Sequence, residues 1–406
     1  ATCKKIQQIG SIDCINRGFE SCISTTYDHS LNDVDCTYCG QCIESCPTGA
    51  LHEKENINDV WAKLKDPDTY VVVQTAPSIR VALGEEFGME IGTNVTGKMI
   101  AALKRLGFDK VFDTNTGADF TIMEEATELV KRLRNNDNLP MTTSCCPAWV
   151  KYTEMFYPEN IPHLSSCKSP HQMLGAVIKS YFADKNHIDP SKIYVVSVMP
   201  CIAKKYERQR EELKVNGISD VDAEDEEFDN PMGEATGAGA IFGTTGGVME
   251  AALRAAYELI TGEELQNVEF EQVRGAKGIK KATVQMGDKE VRVAVAHGLG
   301  NAKKIMEEIK SGKADYQFVE VMACPGGCIM GGGQPIKNSK TRATVDVRRK
   351  RAEAMYSIDE RSTIRKSQDN PILKAIYKEY IGQPGEHRAH ELLHTHYTKK
   401  EKYNIF

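Results

Sequence analysis

Residues 319–328 read VEVMACPGGC, a short apolar run followed by two cysteines with a proline and two glycines between them. The apolar run has the length of a buried strand, and the glycines let the backbone curl so that both thiolates can face one object. Two more predicted strands end in cysteine, MTTSCCP at 141–147 and VVSVMPC at 195–201. Ligands of open α/β sheets gather beyond the carboxyl ends of the strands. We therefore expect a thiolate-lined site where these strands end.

Strands and helices alternate along the chain from about residue 58. Strands are predicted at residues 70–75, 110–114, 140–144, 192–199, 291–297 and 317–322, and helices at 97–106, 121–134, 173–184 and 248–260. Such alternation with apolar strands indicates an α/β fold with mostly parallel sheets. We expect an α/β domain at residues 58–345, a small module before it at 1–57 that carries seven of the thirteen cysteines, and a polar helical extension after it at 346–406.

Composition limits the classes of function. The 406 residues are 41% hydrophobic and 27% charged with a net charge of −6, so no strong basic field exists to attract nucleic acid. The apolar runs are the size of strands, which predicts no membrane span, and no signal peptide is recognised. Thirteen cysteines, an odd number in tight clusters, favour metal-bound thiolates in a reducing, anaerobic cytoplasm over a disulfide framework.

The densest cysteine cluster is CTYCGQCIESCP at residues 36–47. Its C-x2-C-x2-C-x3-C-P spacing is that of bacterial ferredoxins, in which three thiolates hold one 4Fe-4S cluster and the fourth reaches a second cluster. A zinc site is the main alternative, but its ligands usually come as two separated pairs. The run therefore predicts a ferredoxin-like α+β module, with Cys36, Cys39 and Cys42 on one cluster and Cys46 directed to another.

Four further cysteines stand at the strand ends, namely Cys146, Cys201, Cys324 and Cys328. Four thiolates that converge from three distant places would make a second 4Fe-4S site, buried between the lobes. The alternative is that they are ordinary buried cysteines, which pack as small hydrophobic residues. If Cys146 is a ligand, the adjacent Cys145 must point elsewhere, and a free thiol beside a cluster can donate a proton.

A proton donor needs a relay behind it, and candidate carboxylates lie on the helix predicted at residues 121–134. Glu125 and Glu128 are three residues apart and share a helix face, which Arg132 continues. A solvated acidic face explains the same pattern, and the residues alone favour that interpretation.

Two other stretches are interpreted as structural. The glycines of GEATGAGAIFGTTGG at 233–247 are spaced one residue too widely for a dinucleotide site, so we expect a loop and then a helix capped by Thr244 or Thr245. Three histidines near the carboxyl end share a predicted helix face, where a surface or packing role is favoured over a metal site: His387, His390 and His394.

Three long stretches resemble the active-site signatures of the iron-only (FeFe) hydrogenases: TSCCPAWV at 143–150, VMPCIAKKYE at 198–207 and EVMACPGGCIMGGGQP at 320–335. The similarity runs through residues 58–406 and includes GAIFGTTGGVMEAALR and GEHRAHELLH. It implies two lobes around a buried H-cluster, a 4Fe-4S unit joined through one cysteine to a two-iron unit with CO, cyanide and a bridging dithiolate amine. It also implies reversible conversion of H2 into two protons and two electrons.

The resemblance assigns roles to residues that match its motifs. The 4Fe-4S part would be held by Cys146, Cys201, Cys324 and Cys328, with Cys328 as the bridge to the two-iron unit. The proton route would begin at Cys145 and continue through Glu125, Ser165 and Glu128, with Arg132 near the exit. Lys204 would contact a cyanide. The two-iron pocket would be lined by Ala76, Pro77, Ser78, Met199, Phe242 and Met322.

The same resemblance implies partners and leaves alternatives open. Electrons would pass between the H-cluster and at least one additional 4Fe-4S cluster in the N-terminal module, and from there to ferredoxin or a redox partner subunit. Maturation proteins would supply the two-iron unit.

The alternatives to an enzyme are a non-catalytic hydrogenase-like iron–sulfur assembly protein and a hydrogen sensor. Intact Cys145, Glu125 and Glu128 favour the enzyme, since such relatives need not keep a proton relay.

The sequence departs from the family pattern in a few places. His171 stands where the family usually has glutamine. A strand–helix segment usual near Asp222–Ala223 is missing, either by deletion or because a disordered stretch was left out of the sequence, and the second is favoured because loss of a sheet element should damage the lobe. The acidic run at 222–229 is expected to be a solvated loop. The chain begins at Ala1, which suggests an incomplete N-terminus.

The cysteines before the ferredoxin run also differ from a complete two-cluster module. Cys3 lies 33 residues before Cys36, as the last cysteine of an upstream twin run would, so Cys3 is expected to complete the cluster of the run. Cys46 would then serve a second cluster whose other ligands lie outside this sequence. Cys14 and Cys22 are interpreted as structural.

Overall fold

The computed structural model describes residues 1–214, 228–233, 235–275 and 277–403. The strands are β1 (Asp13–Ile15), β2 (Cys22–Ser24), β3 (Tyr70–Thr75), β4 (Lys110–Asp113), β5 (Met141–Thr142), β6 (Ile193–Val198), β7 (Ile279–Met286), β8 (Lys289–His297) and β9 (Phe318–Met322). The position near residues 222–223, where the family's strand–helix segment is missing, and most of the acidic run predicted as a loop lie outside the described residues.

The helices surround the sheets. They are α1 (Gln41–Glu44), α2 (Ile57–Leu64), α3 (Thr96–Leu106), α4 (Thr114–Asn135), α5 (Pro147–Phe156), α6 (Pro170–Val177), α7 (Ala183–Lys185), α8 (Ala203–Glu207), α9 (Gly237–Ile241), α10 (Gly247–Thr261), α11 (Leu299–Lys310), α12 (Ser339–Thr344), α13 (Val347–Arg361), α14 (Pro371–Ile376) and α15 (His387–Leu393). None of the helices in the described ranges is both long and apolar enough to cross a membrane.

The first lobe is built on a parallel sheet in the order β4-β3-β6. Thr75 at the end of β3 pairs with Asp113 on β4 and with Val198 on β6, so the three strands end at one edge. Their central residues are buried, as expected for a parallel sheet covered on both faces. The segment after β3 and the segment after β6 therefore emerge side by side.

The second lobe is built on a sheet in the order β5-β9-β8-β7. Strands β5, β9 and β8 are parallel, and β7 joins β8 as an antiparallel hairpin. The predicted α/β architecture with mostly parallel sheets is confirmed. Strand β7 was missed because buried and exposed residues alternate along this edge strand, so it lacks the continuous apolar run of its neighbours.

Helix α4 starts at Thr114, seven residues before the predicted start. Asp113 caps it by accepting a hydrogen bond from the backbone N–H of Asn115 at 2.9 Å. Gly117 within it has a poor intrinsic propensity for helix, but a Cβ at this position would overlap the carbonyl oxygen of Pro170 on α6. Close packing between α4 and α6 therefore extends the helix beyond what local sequence indicates.

The glycine-rich stretch at 233–247 differs from its prediction. Part of it is the short helix α9, whose cap Thr236 accepts from the N–H of Gly239. Helix α10 begins after Gly246 and is not capped by Thr244 or Thr245. The carboxylate of Glu320 takes the place of a cap, because its two oxygens accept from the N–H groups of Gly246 and Met249 at 2.7 Å each.

The N-terminal module contains the β1–β2 hairpin and helix α1. Cys14 and Cys22 lie on this hairpin, and both are exposed, so neither thiol packs in a core as a structural cysteine would. Cys14 pairs with Ile23 and Cys22 with Ile15, which places the two thiols on opposite faces of the hairpin. At the other end of the chain, α13 packs on α9, and α15 packs on α6 and α4.

Candidate active site

Five thiols reach one enclosed cavity of about 70 Å³ between the lobes. Cys145 and Cys146 lie between β5 and α5, Cys201 follows β6, and Cys324 and Cys328 follow β9. Pro147 occupies the first turn of α5, where a missing N–H costs nothing, and this fixes the turn that presents both adjacent thiols. The strand ends thus bring together the predicted ligand cysteines, which we call the inner site: Cys146, Cys201, Cys324 and Cys328.

The distances between these thiols indicate whether the inner site could hold an iron–sulfur cluster or a single metal ion. In the part of the chain that the structure describes, no three thiols of the inner site lie within 4.8 Å of one another. Tetrahedral zinc with Zn–S bonds of about 2.3 Å would bring its thiolates to about 3.8 Å from each other. The spacing of the inner site therefore favours a larger iron–sulfur cluster over one zinc ion.

Burial makes the thiolate form costly without bound metal. Desolvation, and then the charge of neighbouring thiolates, raises the pKa of Cys201 to about 11 and that of Cys328 to about 12. Iron would offset this cost, because metal ions bind the deprotonated thiolate. The donor set of the inner site therefore fits a cationic metal cluster.

The remaining wall of the cavity matches the predicted lining. It contains every residue expected around the two-iron unit: Ala76, Pro77, Ser78, Met199, Lys204, Phe242 and Met322. Gly327 of the CPGGC turn has φ of +97°, and a Cβ there would lie 2.7 Å from the backbone nitrogen of Thr245. Only glycine allows this approach, which holds Cys324 and Cys328 against the start of α10.

Lys204 is held by a buried polar network. Its Nζ donates to Ser169 Oγ at 3.1 Å and to Glu207 Oε2 at 3.2 Å. Burial opposes the charge on Lys204, but the carboxylate of Glu207 and the thiolates of Cys201 and Cys328 together outweigh it, so the pKa of Lys204 is raised. Burial likewise opposes ionisation of Glu207, but the charge of Lys204 and the hydrogen bonds from His171 and Ser169 together outweigh it, so the pKa of Glu207 falls to about 2. Lys204 is therefore a fixed cation at the cavity wall.

His171, the departure from the family pattern, belongs to the same network. Its Nδ1 lies 3.0 Å from Glu207 Oε2 and its Nε2 lies 3.0 Å from Ser197 Oγ. Burial lowers the pKa of His171 to about 4, so the ring is neutral at pH 7. Since a carboxylate only accepts, Nδ1 carries the proton and Nε2 accepts from Ser197. Both nitrogens are already paired, so the ring has no donor left for the cavity.

Cys145 and Glu125 form the inner part of the predicted relay. Burial raises the pKa of the Cys145 thiol well above its usual range, and the nearby charge of Glu125 adds to this. Neither carboxyl oxygen of Glu125 forms a hydrogen bond with good geometry, although Ser165 and Ser144 are close enough to influence it. Burial, and then the charge of Glu128, raises the pKa of Glu125 to about 8. Glu125 is therefore a neutral acid at pH 7.

Ser165, Glu128 and Arg132 continue from Glu125 towards the surface. The Ser165 hydroxyl donates to Glu128 Oε2 at 3.0 Å. The Arg132 guanidinium donates to Glu128 Oε1 through Nη2 at 2.6 Å and Nε at 3.1 Å. The structure thus brings the five predicted relay residues into one row, and the interpretation of Glu125 and Glu128 as a solvated face is wrong because Glu125 is completely buried.

A second set of thiols, the outer site, lines a cavity of about 300 Å³: Cys3, Cys36, Cys39 and Cys42. Here too, within the described ranges, no three thiols come within 4.8 Å of one another, which again fits a cluster better than zinc. Cys46 is absent from this lining. Its thiol lies 3.6 Å from Thr48 Oγ1, and this hydrogen bond together with backbone N–H groups lowers the pKa of Cys46 to about 6.

The outer site touches the inner one through backbone. The Cys324 thiol lies 3.9 Å from the carbonyl oxygen of Cys39, and the loop around Gly40 packs directly on Gly332. Lys151 on α5, which the sequence analysis missed, adds a second contact. Its Nζ donates a hydrogen bond of 2.7 Å to the carbonyl oxygen of Cys36. No local pattern marked Lys151, since its partner is 115 residues away.

The three C-terminal histidines do not share one environment. His387 is exposed, whereas His394 follows the end of α15 and is buried. The His394 ring lies 4.1 Å from the His390 ring between centroids, tilted by 40°, and hydrogen-bonds to Glu124 and Ser166. Ser166 and Glu124 had no signal in the sequence, and only the packing of the C-terminal segment brings them together.

Comparison with known proteins adds an independent finding. The family described as "Iron only hydrogenase large subunit, C-terminal domain" matches residues 69–224 and 214–332. "Iron hydrogenase small subunit" matches residues 345–400, and "4Fe-4S binding domain" matches residues 31–52. These matches cover the lobes that form the inner site, the C-terminal extension and the ferredoxin run.

Individual relatives agree with these families. The chain is 48% identical to the NADP-reducing hydrogenase subunit HndD of Solidesulfovibrio fructosivorans, over 98% of the chain and 72% of the relative. It is 44% identical to iron hydrogenase 1 of Clostridium pasteurianum, over 98% and 73%. Apo [FeFe]-hydrogenase HydA1 from Chlamydomonas reinhardtii superposes with a TM-score of 0.73 at 41% identity, covering 84% of this chain and 98% of that one. The chain is also 30% identical to cytosolic iron–sulfur assembly component 3 of Rattus norvegicus, over 92% of the chain and 85% of the relative.

Proposed function

Because the chain belongs to the iron-only hydrogenase family, we propose that its inner site and its row of relay residues together catalyse reversible oxidation of H2. The enzyme is an FeFe hydrogenase, and its cofactors are an H-cluster and an additional 4Fe-4S cluster. The observation that carries the proposal is the fifth thiol, Cys145, which shares a buried cavity with four ligand thiols and adjoins Glu125. A site that only stores a cluster needs no such thiol.

The residues divide into ligands and lining. Cys146, Cys201, Cys324 and Cys328 would hold the 4Fe-4S part of the H-cluster, with Cys328 as the bridge. When bound, the H-cluster supplies the low-valent two-iron unit at which H2 is exchanged with two protons and two electrons. Lys204 places a fixed positive charge where a cyanide would be bound. The apolar lining keeps water from the cavity and strengthens electrostatic contacts inside it.

Protons would leave through the row of relay residues. The Cys145 Sγ gives and takes the first proton, and Glu125, neutral at pH 7, can donate one from its carboxyl and accept one in return. Ser165 connects Glu125 to Glu128 because its hydroxyl both accepts and donates. Arg132 holds Oε1 of Glu128, so Oε2 remains the proton-carrying oxygen.

Electrons would leave through the outer site. Its Cys39 carbonyl oxygen lies 3.9 Å from the Cys324 thiol, which gives a short path between the two sites with a single non-bonded step. From the outer site, electrons would pass to ferredoxin or a redox partner subunit, and maturation proteins would supply the two-iron unit. We also propose domains at residues 1–57, 58–345 and 346–406, which the separate family matches support, and a cytoplasmic location.

A non-catalytic iron–sulfur assembly protein is the second candidate, favoured by the 30% identity to such a component. A hydrogen sensor is a third. The relay separates the enzyme from both, because each can keep its cluster cysteines without an unbroken proton path. We therefore test the relay and the cofactor in the same experiment.

The experiment compares the matured protein with two cysteine variants. We expect infrared bands from metal-bound CO and cyanide in the wild type, and in Cys145→Ala the same bands with turnover reduced by about 10²-fold or more. Cys14→Ala is the matched control, since Cys14 is an exposed thiol on β1. A spectrum without those bands would remove the hydrogenase proposal, and an active Cys145→Ala would remove the relay alone.

A further inference from the structure

The outer end of the relay has a branch that the assigned residues do not use. Glu128 Oε2 accepts from the Ser165 hydroxyl at 3.0 Å and also from the Ser166 hydroxyl at 3.1 Å. The same Ser166 oxygen lies 2.8 Å from Nδ1 of His394. Ser166 has one hydroxyl proton and two neighbours that can accept it. Such a hydroxyl transfers a proton by donating on one side while it receives on the other.

His394 is held so that its Nδ1 stays available to Ser166. Its Nε2 lies 3.0 Å from Oε2 of Glu124. The Glu124 side chain is fully buried, and it also accepts hydrogen bonds from the Tyr377 hydroxyl at Oε1 and from the Gly385 N–H at Oε2. A carboxylate only accepts, so Nε2 carries a hydrogen. Nδ1 then accepts from Ser166 when the ring is neutral and donates to Ser166 when the ring is charged.

We propose that His394 is the outermost proton-transfer residue of the relay, and this rests on the proposed route through Glu128. In the outward direction, Glu128 Oε2 gives its proton to Ser166 Oγ while the Ser166 O–H bond breaks and its proton joins His394 Nδ1. Ser166 ends unchanged, Glu128 becomes a carboxylate, and His394 becomes an imidazolium. No oxidant or reductant takes part, and the reverse order brings a proton in.

The cavity beside His394 gives this proton a way out. It has a volume of about 290 Å³ and is lined by Glu128, Ser166, His390 and His394, among others. Arg132 binds Oε1 of Glu128 on the other side, so that oxygen is occupied. Histidine exchanges protons near neutral pH, which neither a serine nor an arginine does. The titratable and charged groups that face His394 are Glu124, Glu128, Lys131, Arg132, Cys167, Tyr377 and His390.

A clamp is the competing role for His394. Its backbone forms a bridge with Cys167, and the next residue, Thr395, donates from its N–H to the carbonyl of Ser166. Loss of the ring would therefore loosen the C-terminal segment as well. Glutamine separates the two roles, since its amide nitrogen and oxygen can replace the two ring nitrogens as hydrogen-bonding groups but cannot transfer a proton at neutral pH.

The test uses the matured holoenzyme and four variants, two of them at His394. We expect His394→Gln to lower H2 turnover by up to about 10²-fold, the lower end of what a positioned proton-transfer group contributes. We also expect a changed pH profile and an unchanged melting temperature. Added imidazole should partly restore His394→Ala. His387→Gln, at an exposed histidine at the start of the preceding helix α15, is the matched control and should behave as wild type.

Each other result has a defined meaning. Wild-type turnover and pH profile in His394→Gln, with Glu125→Gln inactive, would overturn the role of His394 and leave the relay in place. A second set of results would make His394 a clamp and would also overturn its proton-transfer role. In that case His394→Gln is slow and melts at a lower temperature than wild type, and imidazole does not restore His394→Ala. A fully active Glu125→Gln would remove the relay of the proposed function itself.

Discussion

At the scale of single residues, two buried carboxyl groups beside the active cavity have opposite ionisation states. Glu207 accepts hydrogen bonds from Ser169, His171 and Lys204, and these together with the charge of Lys204 keep it ionised despite burial. Glu125 has no hydrogen bond of good geometry and no cation, so burial keeps it protonated. The same side chain is thus a fixed anion at one position and a proton carrier at the other, and only the neighbours differ.

The pKa of Glu125 makes a prediction about stability. Between its usual value of 4.5 and the folded value of about 8, only the folded state binds the proton, so this residue destabilises the fold increasingly as pH rises. We expect Glu125→Gln to melt at a higher temperature than wild type at pH 8, with the difference shrinking towards pH 5. Thermal denaturation under anaerobic conditions measures it. Glu391→Gln, at an exposed position, is the control, and a pH-independent difference would contradict the assigned pKa.

At the scale of elements, short glycine-rich turns carry the thiols and also join the two cluster sites. Gly331, Gly332 and Gly333 follow Cys328 closely, and a Cβ on Gly332 would come within 2.5 Å of the carbonyl oxygen of Gly40. Backbone atoms cannot move aside as a flexible side chain does. The contact between the outer-site loop and the CPGGC loop therefore depends on the absence of a side chain.

We expect Gly332→Ala to push the two loops apart. The unfolding free energy should fall by about 1–3 kcal/mol, as for other overpacked sites, and electron transfer from the outer to the inner cluster should slow. Denaturant titration and rapid-mixing reduction kinetics measure the two effects. Gly97→Ala is the control, because Gly97 lies in α3 with open space around it and alanine favours helix by up to about 1 kcal/mol. Unchanged kinetics in Gly332→Ala would contradict the role of this contact.

At the scale of the whole molecule, stability is distributed unevenly. The lobes contain the extensive buried clusters, whereas much of the module before residue 34, including Phe19, Ile23 and Tyr27, is exposed. Few apolar contacts hold this part, so its ligand thiols must contribute to its order through bound iron. The module therefore depends on its cluster more than the lobes do.

Removal of iron tests this difference. We expect cluster-free protein to be cut by protease first within residues 1–35, while β3 and β9 stay protected. Mass spectrometry of the earliest fragments, with the reconstituted protein as control, locates the cuts. First cuts inside the lobes would contradict the expected order, because those strands would then be less stable than the module.

The parallel strands beside the inner site, and the meeting of four cysteines at their ends, were predictable because both leave local marks. Strand β3 spans the predicted residues, and β9 and β6 begin or end within one residue of theirs. What failed was set by contacts between distant residues. The start of α10 depends on Glu320, some seventy residues away, and the early start of α4 depends on packing against α6. No local rule of capping or helix propensity contains either partner.

The sequence by itself determined which atoms can bind iron, because cysteine spacing and strand ends are properties of short segments. Tertiary structure decided what surrounds those atoms. It left Cys46 outside the outer site, paired both nitrogens of His171 and gave Glu125 its proton. It also brought His394 to Ser166 across 228 residues of chain. Ionisation and proton paths depend on burial and on neighbours that only the folded chain supplies.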